Sequence, residues 1–157
     1  LVREALRESH LAPTRLVVEL TERTLIDHLD SASEVIAGLR ALGVRVALDD
    51  FGTGYSSLAY MKDLRFDLLK LDRRFVADLG RNPRAEAVAE AIIAMAHKLG
   101  VAICAEGVGE PAHIDFLRRH GVECLQGFAL SLPAAEPDFR PYRPPERDDR
   151  RPARPEV

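Results

Sequence analysis

The sequence has few cysteines, no long apolar run and no large excess of charge of either sign. Its two cysteines, Cys104 and Cys124, are not in a metal-ligand spacing, so we expect buried free thiols in a reducing compartment. Basic and acidic residues number 22 and 25, and the resulting net charge of -3 gives no field that would collect a nucleic acid polymer. A small anionic ligand would therefore need local help, such as a metal ion.

The chain is long enough for one domain with a hydrophobic core, since 46% of its 157 residues are hydrophobic. Nothing in it resembles a signal peptide, and no apolar stretch is long enough to cross a membrane. Because it begins with Leu1 rather than Met, we expect a soluble piece of a longer chain. The cytoplasm is its default location.

Short apolar runs alternate with segments of helical spacing. The segments between the runs carry apolar residues on one face and end in glycines suited to helix C′ positions, Gly43, Gly100 and Gly121. Parallel strands need a crossover connection, usually a helix, so the pattern predicts an α/β fold with a parallel sheet. The runs expected to form strands are RLVVEL (15–20), VRVALD (44–49), FDLLKL (66–71), VAICA (101–105) and VECLQG (122–127).

Residues 140–157 differ from the rest in composition. They are rich in proline and arginine and contain almost nothing to bury. We therefore predict a disordered tail there and a folded part over residues 1–139.

Polar side chains recur near the carboxyl ends of the predicted strands. In parallel α/β sheets ligands and catalytic groups gather at that edge, and in a (β/α)₈ barrel successive strand ends converge on one mouth. We therefore expect these residues to form one cluster. They are Glu19, Asp49, Asp50, Lys70, Asp72, Glu106 and Gln126.

The carboxylates of this cluster would repel one another unless protons or cations lie between them, and Mg²⁺ or Mn²⁺ prefers oxygen ligands of this type. Two such ions about 3.5–4 Å apart can share a bridging aspartate, activate a water and clamp a phosphodiester. The adjacent Asp49 and Asp50 suit that bridge.

Five of these residues also have a structural interpretation, and that of Glu106 is a cap of the following helix. Asp49 and Asp50 alone could shape a turn or cap a helix, Lys70 could pair with a carboxylate, and Gln126 could bond backbone groups. GTGYSS (52–57) departs from the dinucleotide-binding pattern and follows two anions, which disfavours phosphate binding. The five histidines form no ligand pair and are interpreted as surface residues.

Taken together, the motifs resemble the EAL domain family, cyclic di-GMP phosphodiesterases with a modified (β/α)₈ barrel. They follow the family's order with compatible spacing over residues 1–139. The resemblance implies a partial TIM-like (β/α)₈ barrel of about five βα units. The matching stretches are LVVELTE (16–22), ALDDFGTGYSSL (47–58), LLKLDRRFV (68–76), AICAEGV (102–108) and LQGFALSLP (125–133).

The resemblance implies a role for each site residue. Two Mg²⁺ or Mn²⁺ ions would be bound by Glu19, Asp49, Asp50 and Glu106, with Asp49 as the bridge. Lys70 would orient the attacking water, Gln126 would support it, and Glu22 would hold loop 51–57 in its working shape. Asp72 and Phe128 are assigned to substrate binding. The reaction would be hydrolysis of cyclic di-GMP to linear pGpG.

The sequence also departs from the family. The strand that carries the Glu-Ala-Leu motif and a metal-binding glutamate should lie upstream of Glu19, and so should a strand with a metal-binding asparagine. The letters E-A-L at residues 4–6 are a decoy, because their spacing predicts a helix. Gly109 stands where the family commonly has a glutamate, which leaves the support of the Glu106 loop open.

We therefore expect this chain to be inactive alone and its intact parent to be a phosphodiesterase. The alternatives are a degenerate domain that binds cyclic di-GMP or a protein without hydrolysis, and an unrelated Mg²⁺-dependent barrel enzyme. The resemblance also implies two possible partners. One is a second copy of the domain, in a homodimer, and the other is an upstream GGDEF or sensor domain.

Overall fold

The computed structural model describes residues 1–27, 29–52, 61 and 64–133. Within them, five parallel strands form one sheet in the order β1-β2-β3-β4-β5. This confirms the α/β prediction. The predicted tail (140–157) and most of the glycine-rich loop (53–60) lie outside the described residues. The strands are β1 (Val17–Thr21), β2 (Arg45–Phe51), β3 (Leu68–Leu71), β4 (Ala102–Ala105) and β5 (Cys124–Leu125).

Helices precede the sheet and connect its strands. Helix α1 spans Val2–Ser9, so the E-A-L letters do lie on a helix, and a 3₁₀ turn at Pro13–Arg15 leads into β1. No helix in the described part of the chain has the length and apolar character of a membrane span. The remaining helices are α2 (Glu22–Asp27), α3 (Leu29–Ala41), α4 (Arg73–Val76), α5 (Pro83–Lys98) and α6 (Pro111–Arg119).

Three Gly-Val turns connect helices to strands along the amino edge of the sheet. In each, a glycine adopts a left-handed φ of 70–83°, and the next residue is a buried valine. The valine N–H donates to the carbonyl five residues earlier, which is the helix-ending pattern that glycine favours. The pattern that predicted helix ends is thus confirmed. The bonds are Val44 N to Leu39 O (3.1 Å), Val101 N to Ala96 O (3.0 Å) and Val122 N to Leu117 O (3.0 Å).

The core lies between the sheet and the helices that pack on it. Leu69 and Leu71 of β3, Ile93 of α5 and Phe116 and Leu117 of α6 are almost fully buried. Burying a side chain of this size stabilises the fold by about 1.5–3 kcal/mol. The described sheet is therefore anchored at its middle strands.

Among the described residues, only Glu22, Lys70 and His113 are buried polar or charged side chains. The interpretation of all five histidines as surface residues is thus wrong for His113, which is 4% exposed on α6. Its ring faces the core because Ile114, Phe116 and Leu117 direct that side of the helix inward.

Two short helices were not predicted from the sequence. Helix α2 begins directly after β1, where the Thr21 hydroxyl accepts a hydrogen bond from the Thr24 N–H (3.4 Å). Helix α4 begins after Asp72, whose carboxylate accepts the Arg74 N–H (2.9 Å). Thr and Asp are favoured N-cap residues, so a capping signal was present, but both helices are too short for an apolar period to reveal them.

Candidate functional site

Polar side chains from four strands meet at the carboxyl edge of the sheet. Glu19 lies on β1, Asp49 on β2 and Lys70 on β3, while Glu106 directly follows β4. The strands are parallel neighbours in sequence order, so their carboxyl ends share one edge. The predicted convergence is present for these four residues.

The Lys70 ammonium is at the centre of this group, which we call the Lys70 cluster (Glu19, Asp49, Lys70 and Glu106). Its Nζ lies 2.8 Å from Glu19 Oε2, 3.1 Å from Asp49 Oδ1 and 2.7 Å from Glu106 Oε1. An ammonium has three protons to donate, so each can be directed at one carboxylate. The lysine therefore ties three strand ends together.

Burial and charge act in opposite directions on Lys70. Its side chain is only 10% exposed, and burial by itself lowers the pKa of an ammonium. Hydrogen bonds to Glu106, Glu19 and Asp49 outweigh that effect and raise the Lys70 pKa above its ordinary value. The residue is charged at neutral pH, as its position among three carboxylates requires.

Asp49 and Asp50 lie at an irregularity in β2. The pairing of β2 with β3 shifts register between Leu48 and Phe51, and Asp50 takes a left-handed φ of 56°. Its N–H donates to Asp49 Oδ1 (3.0 Å), a local bond that aspartate can form in this conformation. The bulge separates the two carboxylates: Asp49 joins the Lys70 cluster, while Asp50 is exposed and makes no ion pair with Lys70 among the described residues.

Glu22 holds the first residue of the glycine-rich loop. Its side chain is buried, and Oε2 accepts the Gly52 N–H at 2.9 Å. The other oxygen, Oε1, has no hydrogen-bond partner among the described residues. Gly52 itself has φ of 84°, and a Cβ there would lie 2.5 Å from the Phe75 ring. Only glycine fits this close approach without strain.

The loop after β4 is held from several sides. Val108 N–H donates to the Gln126 carbonyl (3.0 Å) and Gln126 N–H to that of Ala105 (2.8 Å), which joins the ends of β4 and β5. Gly109 N–H donates to Nδ1 of the buried His113 (3.3 Å). The loop beside Glu106 thus has support even with glycine at position 109. Sequence reasoning missed His113, since its only signal was a polar residue on an apolar helix face.

Three other predicted site residues lie outside the Lys70 cluster. Gln126 and Phe128 are exposed and line a groove of about 380 Å³ formed by residues 125–128 and 130–133, with Phe128 72% exposed. Asp72 caps α4 and accepts hydrogen bonds from both the N–H and Nε of Arg74. The structure therefore brings Glu19, Asp49, Lys70 and Glu106 together and leaves the substrate-binding roles as predictions.

The donor chemistry of the Lys70 cluster fits a hard divalent cation. Its three carboxylates around one ammonium leave two negative charges uncompensated, and carboxylate oxygens are the ligands that Mg²⁺ and Mn²⁺ prefer. The spacing, however, is that of an ion-pair cluster around Lys70. No group of three or more His, Cys, Asp or Glu side chains in the described ranges has a metal-holding arrangement.

The two cysteines differ from the predicted pair of buried thiols. Cys104 is buried, but Cys124 is exposed, because β5 is a short strand at the end of the described sheet. Burial raises the pKa of the Cys104 thiol to about 12, with a further contribution from the neighbouring Cys124. Both thiols are free, as predicted.

The fold and site define a class: a parallel α/β domain of the TIM-like kind, with a carboxylate-rich cluster at the carboxyl edge of the sheet. The chain belongs to the EAL domain family, whose sequence profile matches residues 1–133. The fold and family predictions are both confirmed.

Individual relatives agree with this assignment. The cyclic di-GMP phosphodiesterase NbdA of Pseudomonas aeruginosa is 44% identical over 146 residues, covering 90% of this chain and 19% of that protein. The bifunctional diguanylate cyclase/cyclic di-GMP phosphodiesterase MucR of the same organism is 42% identical, covering 84% of this chain and 19% of that protein. The chain thus spans about a fifth of the length of these curated relatives.

A solved structure is also similar. Klebsiella pneumoniae BlrP1, solved as manganese/cy-diGMP and calcium/cy-diGMP complexes, matches with TM-scores of 0.79 and 0.78 at 30% identity. The match covers 84% of this chain and 34% of BlrP1.

Proposed function

We propose that this chain is the C-terminal part of an EAL phosphodiesterase domain that hydrolyses one phosphodiester bond of cyclic di-GMP to give linear pGpG. The observation that carries the proposal is the convergence of three carboxylates from separate strands on the Lys70 ammonium. Relatives that are named for this activity support the substrate.

The carboxylates would hold the metal ions. Glu19, Asp49 and Glu106 have the donor chemistry, and exposed Asp50 lies beside Asp49, so these four residues would hold the ions. Two bound Mg²⁺ or Mn²⁺ ions would supply an activated water and neutralise charge on the phosphodiester. The manganese and calcium complexes of BlrP1 support the use of a divalent ion by this domain.

Lys70 would orient the attacking water. It is buried, charged and held at one position by three partners, so its ammonium is preorganised at the carboxyl edge. Its three protons are directed at the carboxylates, so a carboxylate that turned to a metal ion would release one proton to bond a water or phosphate oxygen. Gln126, at the adjacent end of β5, would support that water, and Asp72 and Phe128 would contact substrate.

Glu22 would hold the start of the glycine-rich loop. The Gly52 N–H bond to a buried carboxylate restrains the chain directly after Asp49 and Asp50. Such a restraint places those carboxylates without contacting substrate. Glu22 is therefore a positioning residue in this proposal.

The complete active domain would need further strands. In the described sheet β1 and β5 each pair on one side only, and an open edge is what a barrel closes. We propose that the 157-residue chain alone binds metal poorly and is inactive, whereas the parent protein, with any upstream GGDEF or sensor domain, is active. Release of pGpG by the isolated chain would contradict this. A cytoplasmic location and a homodimer remain part of the proposal.

Chromatographic detection of pGpG tests the function. The full-length protein should release pGpG from cyclic di-GMP with Mg²⁺ or Mn²⁺ and stop when EDTA removes the metal. Glu106→Gln should lower the rate by a factor on the order of 10² or more, while Glu8→Gln, on the exposed face of α1, should leave it unchanged. Tight binding without pGpG would instead identify a non-catalytic receptor, which the ion-pair spacing of the Lys70 cluster favours as the second candidate.

A further inference from the structure

Cys104 and Cys124 lie side by side on neighbouring strands. They are paired in register across β4 and β5, and their Sγ atoms are 3.0 Å apart. Neighbouring strands are about 4.8 Å apart, which is within the Cα separation of about 4.4–6.8 Å that disulfides span. The sulfurs would need to approach by roughly 1 Å to reach the bonded distance of about 2.05 Å.

We propose that Cys104 and Cys124 are an oxidation site. When hydroperoxides or small-molecule disulfides oxidise them, the two thiols form a reversible intramolecular disulfide. The two thiols differ in access, since Cys124 is exposed and Cys104 is buried. An oxidant therefore reacts first at Cys124, and Cys104 resolves the product. Cys124 is thus the thiol that reacts first and Cys104 the resolving thiol, because only Cys124 is exposed.

The chemistry balances with either reagent. The Cys124 thiol reduces hydrogen peroxide to water and becomes a sulfenic acid; the Cys104 thiol displaces its hydroxyl as a second water, forming the S–S bond. With glutathione disulfide, Cys124 releases one glutathione thiol and forms a mixed disulfide. Cys104 then loses its proton to solvent, attacks the Cys124 sulfur as a thiolate and releases the second glutathione thiol. Burial raises the Cys104 pKa, so this step is slow at neutral pH and faster at alkaline pH.

The disulfide would bridge strand ends that lead into the candidate site. Cys104 pairs with Lys70 of β3 on its other side and lies two residues before Glu106, as Cys124 does before Gln126. Oxidation would therefore covalently join β4 and β5 at the carboxyl edge. The bond would form whether or not the domain hydrolyses a phosphodiester.

Peptide mapping of the native full-length protein tests the proposal. The protein is treated with glutathione disulfide while native, its remaining thiols are then alkylated in denaturant so that buried Cys104 is reached, and trypsin is used without reductant. Cleavage after Lys98, Arg118 and Arg119 separates the two cysteines. The expected product is the Cys104 peptide linked to the Cys124 peptide, two hydrogens lighter than their sum, and released by dithiothreitol.

Two single variants distinguish the roles of the thiols. Cys104→Ser should trap glutathione on Cys124, because the resolving thiol is gone, while Cys124→Ser should leave Cys104 unmodified, because the reagent cannot reach it. Circular dichroism checks that both variants stay folded. The proposal is overturned if oxidised wild-type protein keeps a stable glutathione adduct on Cys124 or if its Cys104 can still be alkylated. It is also overturned if the two peptides become linked only when the protein is denatured before the oxidant is added.

Discussion

The two edges of the sheet are built by different rules. At the amino edge, three helices end in the same Gly-Val turn, and the valine is buried each time. At the carboxyl edge the connections vary: β2 has a bulge with left-handed Asp50, β1 runs directly into α2, and β4 ends in a loop bonded to His113. Local chemistry is sufficient to end the helices at the first edge, where Asp67 and Glu123 also bond N–H groups of neighbouring strands. The second edge depends on contacts between strands throughout.

The two edges also differ in their buried charged side chains. At the amino edge the buried valines stabilise the domain through apolar burial. The carboxyl edge carries buried Lys70 and Glu22, each of which needs a specific oxygen or N–H from another element. Substitutions at the first edge should therefore change stability alone, and those at the second should change activity as well.

Lys70→Met should have the largest effect. Loss of the ammonium leaves three carboxylates facing one another, so we expect hydrolysis to fall by a factor on the order of 10²–10⁴. The free energy of unfolding should fall by about 3 kcal/mol without metal, the lower end of the range because Glu19 is half-exposed. Thermal unfolding should show that Mn²⁺ stabilises the variant more than wild type. Lys98→Met, on the exposed end of α5, is the matched control; unchanged activity in Lys70→Met would refute the role of the cluster.

Gly52→Ala should be next. A Cβ at this left-handed position would lie 2.5 Å from the Phe75 ring, so strain and overpacking together should destabilise the protein by roughly 2–4 kcal/mol. Activity should fall about tenfold or more, because the Gly52 N–H bond to Glu22 is disturbed. Adding Phe75→Leu should recover part of both losses, measured by thermal unfolding and pGpG release. No recovery would mean that the ring contact is not the cause.

His113→Leu should have a smaller effect. It removes the acceptor of the Gly109 N–H, but Gly109 is exposed and the buried His113 Nε2 has no partner among the described residues. The free energy of unfolding should therefore change by only about 1 kcal/mol or less. Release of pGpG should slow several-fold, since the Glu106 loop loses a restraint. His113→Asn, which can place an oxygen near the Nδ1 position, should restore most of the rate. Equal rates for the two variants would show that only packing matters at this position.

Gly100→Ala should have the smallest effect on activity, which we expect to be unchanged. Its φ of 70° is left-handed, but a Cβ would meet nothing within 4 Å, so the variant isolates backbone strain of about 1–2 kcal/mol. Gly38→Ala, on exposed α3, is the control of opposite sign, with an expected gain of about 0.5–1 kcal/mol. Urea unfolding measures the stability of both variants, and pGpG release measures their activity. If Gly100→Ala lost activity, the prediction that amino-edge substitutions change stability alone would be wrong.

The sequence predicted regular elements well and short ones poorly. Strand runs, the longer helices and the glycines that end them were predicted because apolar period and helix stops are local. The last strand is shorter than expected, only Cys124–Leu125, since pairing with β4 decides its length. Asp67, expected inside a strand, instead bonds the Val46 N–H (2.9 Å) and pairs with Arg40.

The candidate site was predicted in part for the same reason. The sequence shows which residues lie at the ends of predicted strands. That placement correctly grouped Glu19, Asp49, Lys70 and Glu106. The sequence alone cannot show that Asp49 pairs with Lys70 while Asp50 stays exposed, or that His113 is buried. These depend on strand pairing and helix packing.

The sequence by itself determined the α/β alternation, the Gly-Val turns and the set of polar residues at one edge, because each depends on neighbours within a few positions. Only the tertiary structure decided that Lys70 joins three carboxylates, that Glu22 is buried against Gly52, and that Cys104 meets Cys124. Those contacts join residues far apart in the chain, and register and burial set their distances. Asp49 and Asp50 are thus neighbours in the sequence but lie in two different environments in the fold.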